Sequence, residues 1–274
     1  MCGTCGCGEA DVRVDGVAGH ASEHDHPHPH PHPHPHEQHE PVAGVVDVET
    51  ALLAKNDSLA GHNRTWLAER GILAINLMSS PGAGKTSLLQ RTITELAPSR
   101  PVAVVEGDQE TGIDAEKIRR TGAPVVQINT GAGCHLDADM LARGLTALAP
   151  PPGSLVFVEN VGNLVCPALF DLGEAAKVVV VSVTEGEDKP LKYPYMFSVA
   201  DVVVINKIDL LPYLDVRLET LVAHCQSVNP EAAVLPVSVT TGEGMQAWRD
   251  WLLTSGAPPA TAATNRVDSP PVWA

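Results

Sequence analysis

Short, continuous apolar runs alternate with helix-like stretches along most of this chain, and this alternation limits the fold more than any other feature. A strand covered on both faces has no polar side to expose, so continuous apolar runs are typical of parallel strands between two layers of helices. The sequence therefore predicts an α/β fold with a mostly parallel sheet and helices on both faces. The predicted strands are Ile72–Met78, Val102–Val105, Val125–Ile128, Leu155–Val158, Val178–Val183, Val202–Ile205 and Val234–Val237. The predicted helices are Lys85–Leu96, Ile113–Arg120, Asp137–Leu148, Leu214–Ser227 and Met245–Leu253, with one or two more in residues 47–69.

This pattern starts near Val42 and stops near Ser255, which predicts one domain over residues 42–254. Hydrophobic residues make up 44% of the 274-residue chain, enough for a core and too many for a disordered protein. The flanking segments, residues 1–41 and 255–274, contain little that packs and are predicted to be disordered.

The charge balance is acidic, with 33 acidic against 18 basic side chains and a formal charge of −15. A nucleic-acid partner is not expected, because binding phosphates requires a basic face. A membrane location is not expected either, since no run approaches the ~18 apolar residues of a span and no signal peptide is recognisable. We expect a soluble cytoplasmic protein.

A phosphate-binding loop follows the first predicted strand, in residues 79–86 (SSPGAGKT), with Ser79 in place of the usual leading glycine. Small residues let backbone N–H groups wrap a β-phosphate at the start of a helix. Lys85 is expected to reach the β- and γ-phosphates, and the Thr86 hydroxyl to hold Mg²⁺. The preceding strand and following helix favour this reading over a simple glycine turn. The expected nucleotide contacts are Ser80, Pro81, Gly82, Ala83, Gly84, Lys85, Thr86 and Ser87.

A second motif indicates the base. Asn206, Lys207 and Asp209 form an N-K-x-D sequence directly after a predicted strand, where a doubly wound sheet binds its ligand. A carboxylate accepts hydrogen bonds from the N1–H and 2-amino groups of guanine, and adenine offers the opposite pattern. Ser238, after the last strand, fits the remaining guanine loop. The sequence predicts GTP rather than ATP.

Two acidic residues are candidates for the catalytic switches. Asp108 and Glu159 follow the second and fourth predicted strands, at the ends that face the Mg²⁺ position. Each could bind Mg²⁺ or orient the attacking water, or be a solvated carboxylate, and the sequence does not decide between them. Gly162 is a candidate contact to the γ-phosphate. No residue matches the catalytic glutamine of Ras-type GTPases, so slow intrinsic hydrolysis is expected.

The chain also begins with a compact set of thiols, Cys2, Cys5 and Cys7. In a reducing cytoplasm such a cluster indicates metal ligands rather than disulfides. Three thiolates with the N-terminal amine make an S₃N set suited to Ni²⁺, although Zn²⁺ or Cu⁺ would also bind.

Nine of the 12 histidines lie between His20 and His39, and part of this tract alternates strictly with proline. In polyproline II, alternate imidazoles are ~6 Å apart, which favours weak, exchangeable metal binding. Storage, buffering and delivery of metal are all compatible with this pattern, as is a solvated linker. The alternating histidines are His26, His28, His30, His32, His34 and His36.

A third metal site is predicted within the domain. Cys134 and His135 precede a helix, and Cys166 follows the second candidate switch segment, residues 159–162. A lone cysteine is usually a small hydrophobic residue, but an adjacent Cys-His pair with a cysteine beside a nucleotide-sensing loop indicates metal ligands. Three ligands leave one position for water or a partner. Cys225, His224 and His62 are assigned to structure.

Taken together, the motifs resemble the HypB family of hydrogenase nickel-incorporation GTPases. The resemblance spans roughly residues 44–254 and the opening cysteines. It depends on Asn56-Asp57 and Asn63-Arg64, and on residues 79–86, 106–109, 133–137, 159–166 and 206–209.

The resemblance implies a cytoplasmic nickel metallochaperone that dimerises when GTP is bound. It implies loading of nickel into the [NiFe]-hydrogenase large subunit with a small zinc-containing accessory protein. It assigns Cys2, Cys5 and Cys7 to high-affinity nickel, and Cys134, His135 and Cys166 to a weaker nickel or zinc site. The implied fold is a P-loop GTPase of the dimer-forming (SIMIBI) class, with Ser80 where ATPase relatives carry a lysine.

Two alternatives remain at this point. A urease-type nickel-insertion GTPase shares the phosphate loop and histidine-rich arm, but the C-x-x-C-x-C start and the Gly133-Cys134-His135 sequence disfavour it. A nickel-storage protein with a vestigial GTPase domain is disfavoured by the intact Lys85, Thr86 and Asp209.

Overall fold

The structure is a computed structural model that describes residues 43–97, 99–108, 112–131 and 133–255. The predicted arm with its cysteine motif and histidine tract, and the tail after Ser255, lie outside the described residues. The helices are α1 Ala43–Glu69, α2 Lys85–Leu96, α3 Ile113–Arg119, α4 Ala138–Leu148, α5 Cys166–Leu169, α6 Lys189–Lys192, α7 Pro194–Ser198, α8 Leu218–Val228 and α9 Met245–Ser255. The strands are β1 Leu73–Ser79, β2 Val102–Asp108, β3 Val125–Asn129, β4 Leu155–Gly162, β5 Ala176–Ser182, β6 Val202–Asn206 and β7 Ala233–Pro236.

In the described part of the chain, seven strands form one parallel sheet in the order β3-β2-β4-β1-β5-β6-β7. Alternate residues of the strands point to opposite faces, and both faces are covered. One face packs against α2, α3 and α9, and the other against α1, α4, α7 and α8. The predicted α/β fold is confirmed. The five inner strands are almost fully buried, which explains their continuous apolar sequences, whereas the edge strands β3 and β7 are mostly half-buried.

Two strands run three or four residues further than the sequence predicts. β2 continues from Val105 to Asp108, and β4 from Val158 to Gly162. Backbone pairing does not depend on apolar side chains, and Glu106 pairs with both Glu159 and a residue of β3. The prediction that Asp108 and Glu159 follow their strands is therefore wrong: Asp108 is the last residue of β2, and Glu159 lies within β4.

The helical regions differ from prediction mainly where helices are short. Residues 47–69 fall in one helix, α1, which ends before Gly71 in the left-handed region at φ 60°. α5, α6 and α7 are four or five residues long and were not predicted. α8 begins at Leu218, not Leu214, because Leu214 and Arg217 have extended backbone, after a 3-10 helix at Ile208–Tyr213. None of the helices in the described ranges is both long and apolar enough to cross a membrane.

Candidate nucleotide and metal sites

The phosphate loop joins the end of β1 to the start of α2, in the middle of the sheet edge. Gly82 and Gly84 adopt left-handed backbone conformations at φ 79° and 103°, which side chains with a Cβ rarely adopt. A Cβ on Gly84 would also lie 2.4 Å from the Asn206 Nδ2 atom. The loop borders a cleft of about 480 Å³ whose lining includes Ser79, Pro81, Gly82, Gly84, Lys85, Thr86, Ser87, Asp108, Glu159, Gly162 and Lys207. Most of the phosphate and switch residues predicted from the sequence thus line one cavity.

Lys85 is buried at the floor of this cleft. Its Nζ donates a hydrogen bond to the Ser79 Oγ at 2.7 Å, and Ser79 is fully buried. Burial lowers the pKa of Lys85, and the neighbouring carboxylate of Glu159 partly offsets that effect. The serine that departs from the usual leading glycine therefore has a direct contact with the lysine that the sequence predicts to bind phosphate.

The N-K-x-D motif is tied to the phosphate loop. Asn206 donates through Nδ2 to the Ala83 carbonyl at 3.0 Å, and Lys207 through Nζ to the Gly82 carbonyl at 2.7 Å. Asp209 lies on the outer side of the motif, where its Oδ1 accepts a 2.6 Å hydrogen bond from the Ser238 hydroxyl. The two predicted guanine-contacting residues are therefore in contact with each other.

Two buried carboxylates lie beneath the phosphate loop. Glu159 accepts a hydrogen bond from the Thr86 hydroxyl at 2.7 Å, and Glu106 is its register neighbour on β2. Burial raises the pKa of Glu159 to about 7, against the opposing influence of Lys85 and Thr86. Burial, with the negative charge of Glu159 next in importance, raises the pKa of Glu106 to about 8. Among the described residues, neither Oε2 atom has a hydrogen-bond partner.

The sequence did not identify every residue of this cleft. Asp114 and Lys117 of α3 line it as an ion pair with 2.7 Å between Oδ1 and Nζ, and they have no motif signal beyond a polar helix face. Glu185 accepts a hydrogen bond from the Ser80 hydroxyl and another from the Ser182 backbone N–H at 2.8 Å. The segment after β5 is thereby hydrogen-bonded to the phosphate loop.

The second switch segment also packs directly against the phosphate loop. A Cβ on Gly162 would lie 3.1 Å from the Pro81 Cγ and 3.2 Å from its backbone nitrogen. Asp108, the other predicted switch acid, is half-buried and lines the cleft at the end of β2. Gln109, Glu110 and Thr111, which follow it, lie outside the described residues.

The three predicted metal ligands of the domain come together. One ligand atom from each of Cys134, His135 and Cys166 lies within 4.8 Å of the others, and all three residues are half-buried. The His135 ring stacks on Phe170 with 3.9 Å between centroids. Burial lowers the pKa of His135, and the negative charge of Asp137 opposes this effect. The lowered pKa favours the neutral imidazole, which is the form that binds metals. Cys225 is apart from this group and buried in the core, where burial raises its pKa to about 12.

The strand β4 connects the two sites. Its Glu159 contacts the phosphate-loop Thr86, and the next residue, Asn160, accepts a hydrogen bond from the Leu136 backbone N–H at 3.0 Å. Leu136 directly follows the Cys134-His135 pair. After Gly162 the chain then leads to Cys166 at the start of α5. One segment of backbone therefore reaches both halves of the metal group and the nucleotide cleft.

This fold and cleft define a P-loop nucleotide-binding domain of the GTPase type. Residues 73–236 match the family described as the CobW/HypB/UreG nucleotide-binding domain. The hydrogenase maturation factor HypB of Rhizobium leguminosarum bv. viciae is 56% identical over 213 residues, covering 78% of this chain and 71% of that protein.

Two solved structures are similar over the full length of their chains. HypB from Archaeoglobus fulgidus has a TM-score of 0.71 and 40% identity, covering 75% of this chain and 100% of that one. HypB from Helicobacter pylori in complex with nickel has a TM-score of 0.70 and 34% identity, covering 77% of this chain and 100% of that one. The chain belongs to the HypB family of hydrogenase maturation factors. The family resemblance seen in the motifs is confirmed.

Proposed function

We propose that the protein is a GTP-hydrolysing metallochaperone that binds nickel and delivers it for assembly of the [NiFe]-hydrogenase active site. The observation that carries this proposal is the path of the chain through β4 and on to α5, from Glu159 at the phosphate loop to Cys166 in the metal group. A nucleotide-driven chaperone needs its metal affinity to depend on the nucleotide state. A shared strand is the physical means by which one site senses the other.

Guanine selectivity is assigned to Asp209, held in place by Ser238. For Mg²⁺, the donor set fits: Thr86 provides a hydroxyl, and Glu106 and Glu159 each provide a buried carboxylate oxygen that has no hydrogen-bond partner in the described chain. Hard oxygen donors of this kind are the ligands that Mg²⁺ prefers. When bound, Mg²⁺ neutralises charge that develops on the phosphate oxygens during hydrolysis. Lys85 is positioned to contact the β- and γ-phosphates, and Asp108 remains a candidate for orienting water.

For nickel, the proposed domain site is Cys134, His135 and Cys166. Thiolate and imidazole ligands suit Ni²⁺ and Zn²⁺, and the Helicobacter pylori relative is a nickel complex. Three ligands leave one coordination position for water or a partner. The arm adds Cys2, Cys5 and Cys7 as a tighter nickel site and the histidine tract as a reservoir, both proposed from sequence.

The proposed cycle has three steps. The arm holds nickel; GTP orders the switch segments and closes a homodimer around the domain ligands; hydrolysis relaxes those segments and lowers metal affinity. The metal then passes to the hydrogenase large subunit with the help of a small zinc-containing accessory protein. The cytoplasm is the proposed location.

The decisive experiment measures Ni²⁺ affinity with GDP and with a non-hydrolysable GTP analogue. The parent protein is the full-length chain with Cys2, Cys5 and Cys7 replaced by serine. It is compared with a variant that carries Cys134→Ser in addition, so that the difference in Ni²⁺ binding between the two reports the domain site. We expect at least a fivefold change in affinity between the nucleotides, within the usual range of allosteric coupling. Identical affinities would refute the cycle. Loss of urease activity with intact hydrogenase activity after gene deletion would instead support the urease alternative.

A further inference from the structure

Helix α1 spans the two chain segments that carry the metal ligands, and it does so with side-chain amides. Asn56 accepts a hydrogen bond at Oδ1 from the Ala138 backbone N–H at 2.9 Å and donates from Nδ2 to the Asp171 carbonyl at 2.8 Å. Ala138 lies three residues after His135, and Asp171 lies five residues after Cys166. One amide thus joins the two ligand-bearing segments.

Asn63 makes a second bridge between the same segments. Its Nδ2 donates to the Ala138 carbonyl at 2.8 Å and to the Leu172 carbonyl at 2.9 Å. Asn63 lies two helical turns after Asn56, so both amides project from the same face of α1. Asn63 is fully buried and Asn56 is 5% exposed. The backbone N–H and carbonyl of Ala138 are therefore each held by a different asparagine of one helix.

The helix itself is held close to these segments. Gly173 packs against α1 so tightly that a Cβ there would lie 2.4 Å from the Ala60 carbonyl oxygen and 2.7 Å from the Asn63 Cβ. Arg64 also donates to both carboxylate oxygens of Asp171, at 2.8 and 2.7 Å. Helix α1 is thus in direct contact with both segments.

We propose that Asn56 and Asn63 are positioning residues of the metal site, which hold Cys134 and His135 at binding distance from Cys166. This inference rests on the proposed function, since it needs those three residues to bind metal. Residues that orient metal ligands from outside the coordination sphere commonly change metal affinity 10- to 100-fold when replaced. The amides act through the backbone and touch neither metal nor nucleotide.

The test uses Co²⁺, whose thiolate charge-transfer absorption reports cysteine ligands. In full-length protein with Cys2, Cys5 and Cys7 replaced by serine, that absorption comes from Cys134 and Cys166, because Cys225 is buried apart from them. Asn56→Asp keeps the acceptor for Ala138 and replaces the donor to Asp171 with an acceptor; Asn63→Ser removes the second bridge. The matched control is Asn229→Asp. The Asn229 amide also donates to backbone carbonyls, but to those of Phe197, Ser198 and Ala200, which are not in the ligand-bearing segments.

We expect Asn56→Asp and Asn63→Ser to weaken Co²⁺ binding about tenfold or more and to alter the charge-transfer band, with GDP affinity within twofold of the parent. Asn229→Asp should change neither. Parent-like Co²⁺ affinity and spectrum in both variants would refute the positioning role alone. A loss of metal and GDP binding in parallel, as in a merely destabilised fold, would also refute it. If the parent shows no thiolate absorption, the metal site of the proposed function fails, and this inference fails with it.

Discussion

Glu106 and Glu159 are register neighbours on adjacent strands, so two buried carboxyl groups lie side by side beneath the phosphate loop. Their ordinary pKa values are near 4.3, and burial raises them to about 8 and about 7. The folded protein therefore holds protons at neutral pH that the unfolded chain releases. A divalent cation bound here would displace those protons, because it stabilises the ionised carboxylates.

The first prediction concerns Glu106→Gln and pH. A raised carboxyl pKa means that the native state binds more protons than the unfolded state between about pH 4.3 and 8, so stability falls as pH rises through that window. Removing Glu106 removes its share of the slope, up to about 1.4 kcal/mol per pH unit for one group. Urea unfolding without nucleotide or Mg²⁺ should show a flatter dependence on pH in the variant. Equal slopes in both proteins would show that Glu106 ionises normally.

The second prediction concerns Ser238→Ala, which removes the 2.6 Å hydrogen bond to Asp209. An Asp209 carboxylate free to rotate is poorly oriented for guanine, and we expect GDP affinity to fall about tenfold, or ~1.4 kcal/mol. Ser227→Ala is the control, because that hydroxyl donates a hydrogen bond within its own helix, to the His224 carbonyl. Fluorescent-nucleotide titration measures both. An unchanged affinity in Ser238→Ala would exclude the orienting role.

The third prediction concerns turnover. Lys85→Ala removes the buried ammonium of the phosphate loop. We expect GTP hydrolysis to fall at least a hundredfold, as for other preorganised electrostatic groups. Arg120→Ala, at an exposed position with 74% of its side chain accessible, should hydrolyse GTP normally. Phosphate release under multiple-turnover conditions gives both rates. Absence of turnover in the unsubstituted protein would favour the storage alternative.

The fourth prediction tests the contact between α1 and the segment after α5. Gly173 has φ 85° and no room for a Cβ, whereas Gly153 has φ 79° and nothing within 4 Å of a Cβ position. Gly153→Ala should cost about 1 kcal/mol of unfolding free energy from backbone strain alone. Gly173→Ala should cost roughly 2 kcal/mol more, because the added methyl overlaps the helix. Chemical denaturation of the two variants provides the comparison, and equal losses would contradict the close packing.

The sheet was predictable because its strands have the simplest sequence signal, unbroken apolar residues in a two-sided core. The strand ends were not, since polar Glu106 and Glu159 interrupt the apolar runs while their backbones stay paired. The phosphate loop and the N-K-x-D motif were predictable for another reason: local backbone geometry and base chemistry each demand particular residues at fixed spacing.

The metal group was predictable only in part. The Cys134-His135 pair is a local signal, and Cys166 was associated with it by its place after the second switch. The two asparagines of α1 are not recognisable as bridging residues, because Asn56 reaches a partner 115 residues away and Asn63 one 109 residues away. Contacts of that range are created by folding and leave no local pattern.

The central place of β4 limits how the two sites can communicate. It is hydrogen-bonded on one side to β1 and on the other to β2, so it cannot slide without breaking both ladders. In the proposed cycle, a movement of Cys166 relative to β4 would therefore have to occur in the link between Gly162 and Cys166. The length of that link would then limit how far Cys166 could move away from Cys134 and His135.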